Sequence, residues 1–209
     1  MSQFAKPSGF FGKIFAKGMA IANKDIYKIT AQAIALKNDD KYLEIGFGSG
    51  LFIKKYVDNI KKIAGLDYSE YMVKLANNIN KNLVESGNAE FKHGDVISIP
   101  WNDNEFSIIV AIETFFFWTE PKKALKEIYR VLMPGGRLVV EMSYNKEDGV
   151  NHTKIIKKNR LRLYHEYEME KLLKDAGFGE VSITYFKGFW IPIRGYMVPK
   201  GMIVKAIKK

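Results

Sequence analysis

Apolar and polar residues follow one another along this chain in blocks whose period keeps switching between short, fully buried runs and one-sided helical stripes. Tyr42, Leu43 and Ile45 form a short apolar run, and an amphipathic stretch (Leu51, Phe52, Ile53, Tyr56, Val57) begins soon after it. That order predicts a buried strand feeding a helix. Lys62 to Asp67 predicts a second strand. Ser69 then caps a helix that places Tyr71, Met72, Leu75, Ala76, Ile79 and Leu83 on one face and is ended by Gly87-Asn88. Ala89 to Asp95 reads as a third strand, and Phe106 to Ile112 as a fourth, covered on both faces. Thr119-Glu120-Pro121 starts a helix running to Leu132, with proline in its first turn. Pro134-Gly135-Gly136 turns the chain into a fifth strand, Arg137 to Ser143.

Tyr144 to Arg162 is polar with weak periodicity and predicts a loop or short helix. Glu166 to Ala176 predicts a helix stopped by Gly177, and Val181 to Phe186 with Met202 to Ile207 an antiparallel closing pair. Strand–helix units repeated this way, with right-handed crossovers, make an α/β doubly wound sheet with a reversed strand at its end. All of 1–209 is expected to form one domain: an N-terminal helical lid over 1–36, a core over 38–143, and a substrate-side loop, helix and closing hairpin over 144–209.

Composition narrows the classes. Of 209 residues, 47% are hydrophobic and 13% aromatic, which fits a globular enzyme and not a disordered chain. The absence of cysteine removes disulfides, thiolate metal sites and a cysteine nucleophile. With no apolar run near ~20 residues and no leader pattern at the start, the expected location is cytoplasmic. The net charge of +10 invites a nucleic-acid reading. Yet only Arg130, Arg137, Arg160, Arg162 and Arg194 are arginines, and bidentate phosphate or base recognition favours arginine over solvated lysine. The expected partner is a small molecule rather than a nucleic acid, with monomer and homodimer both open.

The turn after the first strand carries the chemistry. Glu44-Ile45-Gly46-Phe47-Gly48-Ser49-Gly50 places three glycines at alternate positions between a strand and a helix. A dinucleotide fingerprint, G-x-G-x-x-G, would need its third glycine at 51, which is Leu51. Glu44 at the mouth of the turn suits a ligand bearing positive charge better than a pyrophosphate. Asp67 at the tip of the second strand can accept from both ribose hydroxyls of a nucleoside, with Tyr68 and Met72 placed to cover it. Asp95 can accept from an adenine amino group, with Val96 adding a backbone N–H and an apolar flank.

Together, E-I-G-F-G-S-G, G-L-D-Y-S-E-Y-M, H-G-D-V followed by I-P-W-N-D-N-E-F-S-I-I-V, and R-V-L-M-P-G-G-R-L closely resemble the class I S-adenosylmethionine-dependent methyltransferases. They are most similar to the small-molecule branch that includes the quinone-biosynthesis C-methyltransferases. The resemblance covers about residues 38–143 and is weaker in Leu163 to Phe178. It implies a Rossmann-like, seven-stranded, mostly parallel sheet with an antiparallel C-terminal hairpin and helices on both faces. It implies that 38–143 is the cofactor-binding core, and that Glu44, Gly46, Gly48, Asp67, Asp95 and Val96 contact S-adenosyl-L-methionine. Phe47 stands where relatives often carry a small residue or cysteine, and is expected to narrow the methionine end of the pocket.

Residues after the fourth strand usually face the transferred methyl group; here they are Glu113-Thr114-Phe115-Phe116-Phe117-Trp118. The aromatic run points to an apolar or aromatic acceptor, with Phe117, Trp118 and Tyr144 as its contacts, although core packing explains any one of these rings equally well. Glu113 is the candidate general base or orienting acid, against a plain role as a helix-start carboxylate. His93, His152 and His165 have no metal-ligand company at useful spacing, and no metal is expected. The lysine- and phenylalanine-rich first 36 residues fit the lid, or contact with an anionic membrane surface, and Phe189, Trp190 and Tyr196 fit an opposite wall. An RNA or protein methyltransferase, or a non-catalytic cofactor-binding protein, is the alternative reading.

Overall fold

The computed structural model describes residues 24–60, 62–191 and 196–209, the side chains of 189–191 and 196–199 excepted. Most of the expected lid, and the expected wall of Phe189, Trp190 and Tyr196, therefore lie outside the described residues or side chains. The last turns before the core form helix α1 (Lys24–Ile34).

Strands β1 (Lys41–Ile45), β2 (Lys62–Asp67), β3 (Ala89–His93), β4 (Phe106–Ile112) and β5 (Leu132–Met142) run parallel, and β6 (Phe178–Ile191) and β7 (Tyr196–Lys208) close the sheet. The order is β3-β2-β1-β4-β5-β7-β6, with β7 antiparallel to both of its neighbours. Helices α2 (Leu51–Tyr56), α3 (Glu70–Ile79), α4 (Lys81–Glu85), α5 (Pro121–Val131), α6 (Thr153–Asn159) and α7 (Glu166–Asp175) fill the connections. This is the seven-stranded, mostly parallel Rossmann-like sheet that the motifs implied.

Alternation along β1 sorts the core into two layers. Tyr42 packs with Ile26, Phe52, Ile53 and Ala76 under α1–α3, while Leu43 and Ile45 pack with Ala124, Leu125 and Ile128 of α5 and Leu173 of α7. β4 contributes to both layers, Ile108 and Val110 to one and Ile109 and Ala111 to the other, which is why its sequence is apolar throughout. The first crossover leads from β1 to β2 on one side, and the chain later returns to place β4 on β1's other side. The resulting switch point opens a crevice at the carboxyl ends of β1 and β4.

Several boundaries differ from those the sequence predicted. The single helix expected from Ser69 to Gly87 is two, broken at Asn80, whose side-chain amide donates to Gly50 O (3.1 Å) and Ala76 O (3.0 Å). β3 stops at His93, so Asp95 lies in the following loop. β5 begins at Leu132, and a register shift between Phe106 and Ile108 of β4 absorbs the Pro134-Gly135-Gly136 turn as an irregularity inside the strand. The closing strands are longer than expected because their pairing continues beyond Phe186 and before Met202.

The lysine-rich charge balance has a structural counterpart. Arg130 donates to Glu127 and Asp103, and Arg137 to Asp40, so these two arginines are engaged within the fold. Among the described residues, no helix is long and apolar enough to cross a membrane.

Candidate functional site

The turn between β1 and α2 folds through three left-handed residues, Gly46 (φ +73°), Gly48 (φ +55°) and Gly50 (φ +74°). Gly46 N–H donates to Leu66 O at 2.7 Å, and a Cβ there would stand 2.5 Å from Thr114 Oγ1. The turn is thus pressed against the first residues beyond β4. A Cβ on Gly50 would stand 2.6 Å from Asn80 Nδ2, so α2 starts in contact with the end of α3. Gly48 differs: a Cβ there would meet nothing within 4 Å. Its backbone borders open space.

Asp67 clamps this turn. One carboxylate oxygen accepts Gly48 N–H (2.8 Å) and the other accepts Ser69 N–H (2.9 Å). Each oxygen keeps lone-pair capacity for a further donor. Burial raises its pKa to about 6, against the lowering effect of those two bonds and of nearby His93. Glu44, on the same edge, is buried and accepts the Tyr42 hydroxyl at 2.8 Å. Burial raises its pKa to about 8; the Tyr42 hydrogen bond opposes the rise and the charge of Asp67 adds to it. Two carboxyl groups pushed upward at adjacent strand tips, with no lysine or arginine hydrogen-bonded to either among the described residues, are a site short of positive charge.

The other expected cofactor contacts are distributed less evenly. Tyr68 is exposed just past β2, and its carbonyl lies 3.2 Å from His93 Nε2. Asp95 is exposed and accepts Ile97 N–H at 3.2 Å, while Val96 is buried in the layer under α5. Phe47 and Met72 sit in the apolar layer under α3. The Phe47 ring packs on Phe91 (5.1 Å between centroids) and fills the space over Gly65. Met72 is buried in that same layer. The missing side chain at Gly65 leaves the hollow that the Phe47 and Phe91 rings fill.

Beyond β4, Glu113 takes up a left-handed backbone conformation (φ +55°) and is buried. It donates its N–H to Glu141 O (3.1 Å) and accepts Ser143 N–H on Oε1 (2.6 Å), tying the tips of β4 and β5 together. The expectation of a helix-start carboxylate is replaced by this bridge. Phe115–Phe117 form a single 3-10 turn. Phe115, Phe116 and Trp118 are buried, Trp118 against Phe115 at 4.5 Å. Phe117 is half-buried. Tyr144 is buried, edge-on to Phe116 (5.7 Å) and to His152 (5.4 Å).

Thr114 and Asn80, which shape the glycine turn from outside it, gave no signal in the sequence, because each acts across the fold. The contact between His152 Nε2 and Asp148 Oδ2 (2.6 Å) was legible only as an i, i+4 spacing in a polar loop. His165 caps α7 in a reciprocal arrangement with Glu168 and contacts Glu147 at 2.9 Å. Among the described residues, no group of three His, Cys, Asp or Glu side chains is placed to hold a metal ion.

A switch-point crevice, a left-handed glycine turn and acids at successive strand tips define a nucleoside-binding α/β enzyme of the methyltransferase type. Comparison with known proteins agrees. A family profile described as a methyltransferase domain matches residues 43–140. The Bacillus subtilis (strain 168) protein YrhH, described as a methyltransferase, is 29% identical over 175 residues, covering 83% of this chain and 87% of that one. The ubiquinone/menaquinone biosynthesis C-methyltransferase UbiE of Escherichia fergusonii is 30% identical over 116 residues, 54% of this chain and 46% of UbiE. The chain thus spans about half the length of that relative. In structure, a chain from the complex between the Haloferax volcanii Trm112 methyltransferase activator and a methyltransferase superposes with TM-score 0.78 at 20% identity, covering 92% of each. The geranyl diphosphate C-methyltransferase of Streptomyces coelicolor A3(2) superposes with TM-score 0.72 at 13% identity, covering 89% of this chain and 78% of that one. This chain is an S-adenosylmethionine-dependent methyltransferase, and its sequence resembles the class I enzymes, the quinone-biosynthesis C-methyltransferases among them.

Proposed function

We propose that this enzyme methylates a small apolar or aromatic acceptor, and that its cofactor lies along Gly46 and Gly48 with Glu44, Asp67, Asp95 and Val96 around it. The observation that carries this reading is the open face at Gly48 beside the buried Glu44 and the half-buried Asp67. A cationic nucleoside fits that donor set: the amino-acid end brings charge toward Glu44, and ribose hydroxyls can donate to the free lone pairs of Asp67. A polyphosphate does not fit, since it would meet two acids.

When bound, the cofactor supplies a methyl group on a cationic sulfur. The chain's own contribution is alignment and dryness. Glu113 ties the β4 and β5 tips together, and half-buried Phe117, with Phe116 edge-on to it at 4.9 Å, Trp118 following it and Tyr144 beyond, marks the side on which an acceptor would enter. Holding two reactants in line is worth several kcal/mol of barrier, roughly 7–11 in well-aligned cases. Relatives named for demethylmenaquinone and menaquinone methylation support a planar acceptor of modest size.

Titration calorimetry with S-adenosylhomocysteine tests the cofactor bed, and radiolabelled methyl transfer to quinol probes tests the acceptor. No binding by the wild-type protein would refute the first proposal. Binding without transfer to any aromatic probe would refute the second. Membrane contact through residues 1–36 is a separate proposal, and failure to co-sediment with anionic vesicles at low salt ends it.

A further inference from the structure

The loop after β5 holds a histidine–carboxylate pair that the cofactor bed does not use. His152 Nε2 lies 2.6 Å from Asp148 Oδ2, and both side chains are nearly inaccessible, at 10% and 1% exposure. Asp148 Oδ1 accepts Val150 N–H at 2.9 Å. A carboxylate only accepts, so a neutral ring making this contact holds its proton on Nε2 and its lone pair on Nδ1. Among the described residues, Nδ1 has no hydrogen-bond partner.

The pair is held firmly, and a line of contacts joins it to the glycine turn. Asn145 donates to Lys200 O (2.8 Å) and accepts Glu147 N–H (2.8 Å), Lys146 N–H donates to Tyr164 O (3.0 Å), and Lys146 Nζ meets Glu168 at 2.9 Å. Contact then runs from the glycine turn outward. Gly46 abuts Thr114, the turn beyond Thr114 carries Phe116, Phe116 lies edge-on to Tyr144, and Tyr144 edge-on to His152. An imidazole oriented by a buried carboxylate, with its other nitrogen unengaged, has the form of a general base.

Resting on the methyltransferase reading above, we propose that His152, oriented by Asp148, is the base of the reaction and that the acceptor is an aromatic compound bearing a hydroxyl. The hydroxyl proton passes to Nδ1 of His152. The oxygen's freed electron pair forms the bond to the methyl carbon as the carbon–sulfur bond breaks, its pair returning to sulfur as a neutral thioether. The proton on His152 leaves to water once product departs. Glu113, whose Oε1 already accepts a backbone N–H, is left with the bridging role between the strand tips.

His152 also stands at the N-terminus of α6, where its carbonyl accepts Ile156 N–H at 2.9 Å, so a purely structural role must be separated from a chemical one. His152→Gln does this, because its amide nitrogen can still donate to Asp148 while nothing basic replaces Nδ1. The first measurement needs no activity: nitrogen–proton correlation spectra of the ring in the cofactor-free protein should show the Nε2–H tautomer. A neutral ring protonated at Nδ1 overturns the proposal. The second uses catechol and methylhydroquinone as probes after S-adenosylhomocysteine binding has been verified for each variant. His152→Gln should lose at least about 100-fold in kcat with KM for the cofactor unchanged, and imidazole should restore part of the rate to His152→Ala. A His152→Gln enzyme of wild-type kcat overturns the proposal, as does a cofactor-binding wild type that methylates neither probe. Failure of wild type to bind S-adenosylhomocysteine would instead refute the cofactor reading.

Discussion

Replacing Glu44 with glutamine should make the protein's stability less sensitive to pH. In the unfolded chain this carboxyl ionises near 4.5; burial raises its folded pKa to about 8. Between those values the unfolded state gives up a proton that the folded state keeps, so stability is fully present below about pH 4.5 and is lost as pH rises toward 8. At about 1.4 kcal/mol per pH unit, the loss by pH 7 reaches about 3 kcal/mol, an upper bound given the coupling to Asp67. Glutamine keeps an acceptor for the Tyr42 hydroxyl but has no proton to exchange. Its amide needs a new acceptor, which shifts stability by a constant, so the informative quantity is how the difference between variant and wild type changes with pH. Thermal unfolding at pH 5 and pH 7 should show that difference growing in the variant's favour by up to roughly 5–10 °C, because about 2.5 kcal/mol of the loss falls between those two pH values. An identical difference at both pH values would refute the reasoning. The same group links to the ligand. A bound cation holds Glu44 ionised, so cofactor binding at pH 7 should release a proton, seen as a binding enthalpy that varies with the buffer's heat of ionisation. Glu44→Gln should show almost none of that variation.

Asp67→Asn should weaken S-adenosylhomocysteine binding by about 10- to 100-fold in calorimetry, since it removes a charged acceptor from both the ligand and the Gly48 clamp; unchanged affinity would end the ribose assignment. Gly46→Ala and Gly48→Ala should part company. Both put a side chain at positive φ, worth about 1–2 kcal/mol, but only the first also drives a Cβ to 2.5 Å from Thr114 Oγ1. Chemical denaturation should therefore show the larger loss for Gly46→Ala, and ligand titration a clear loss of affinity for Gly48→Ala. Glu113→Ala should cost about 1–3 kcal/mol by leaving Ser143 N–H unpaired, whereas Glu113→Gln should unfold close to wild type. A Glu113→Gln enzyme of normal stability and lost turnover would move the base role from His152 to Glu113.

How much of this was legible in the one-dimensional pattern follows the range of the forces involved. Strand and helix order, the doubly wound class and the glycine turn depend on residues within a few positions of one another, and period and backbone freedom record such preferences directly. Glu44 and Asp67 were legible for the same reason, each standing at a fixed offset from a strand end. The helix break at Asn80 was not, because it depends on a bond to Gly50 thirty residues away. Nor was the fate of Phe47 and Met72: both side chains turn into the layer under α3, where the missing side chain at Gly65 of β2 leaves a hollow above the sheet that the Phe47 ring fills. Pattern states which residues are apolar; packing density, a property of the assembled layers, chooses which hollow each one fills. Asp148 and His152 make the same point for chemistry. Their spacing is local, but their seclusion beside Tyr144 exists only because β5, β7 and α7 converge to hold the loop in place.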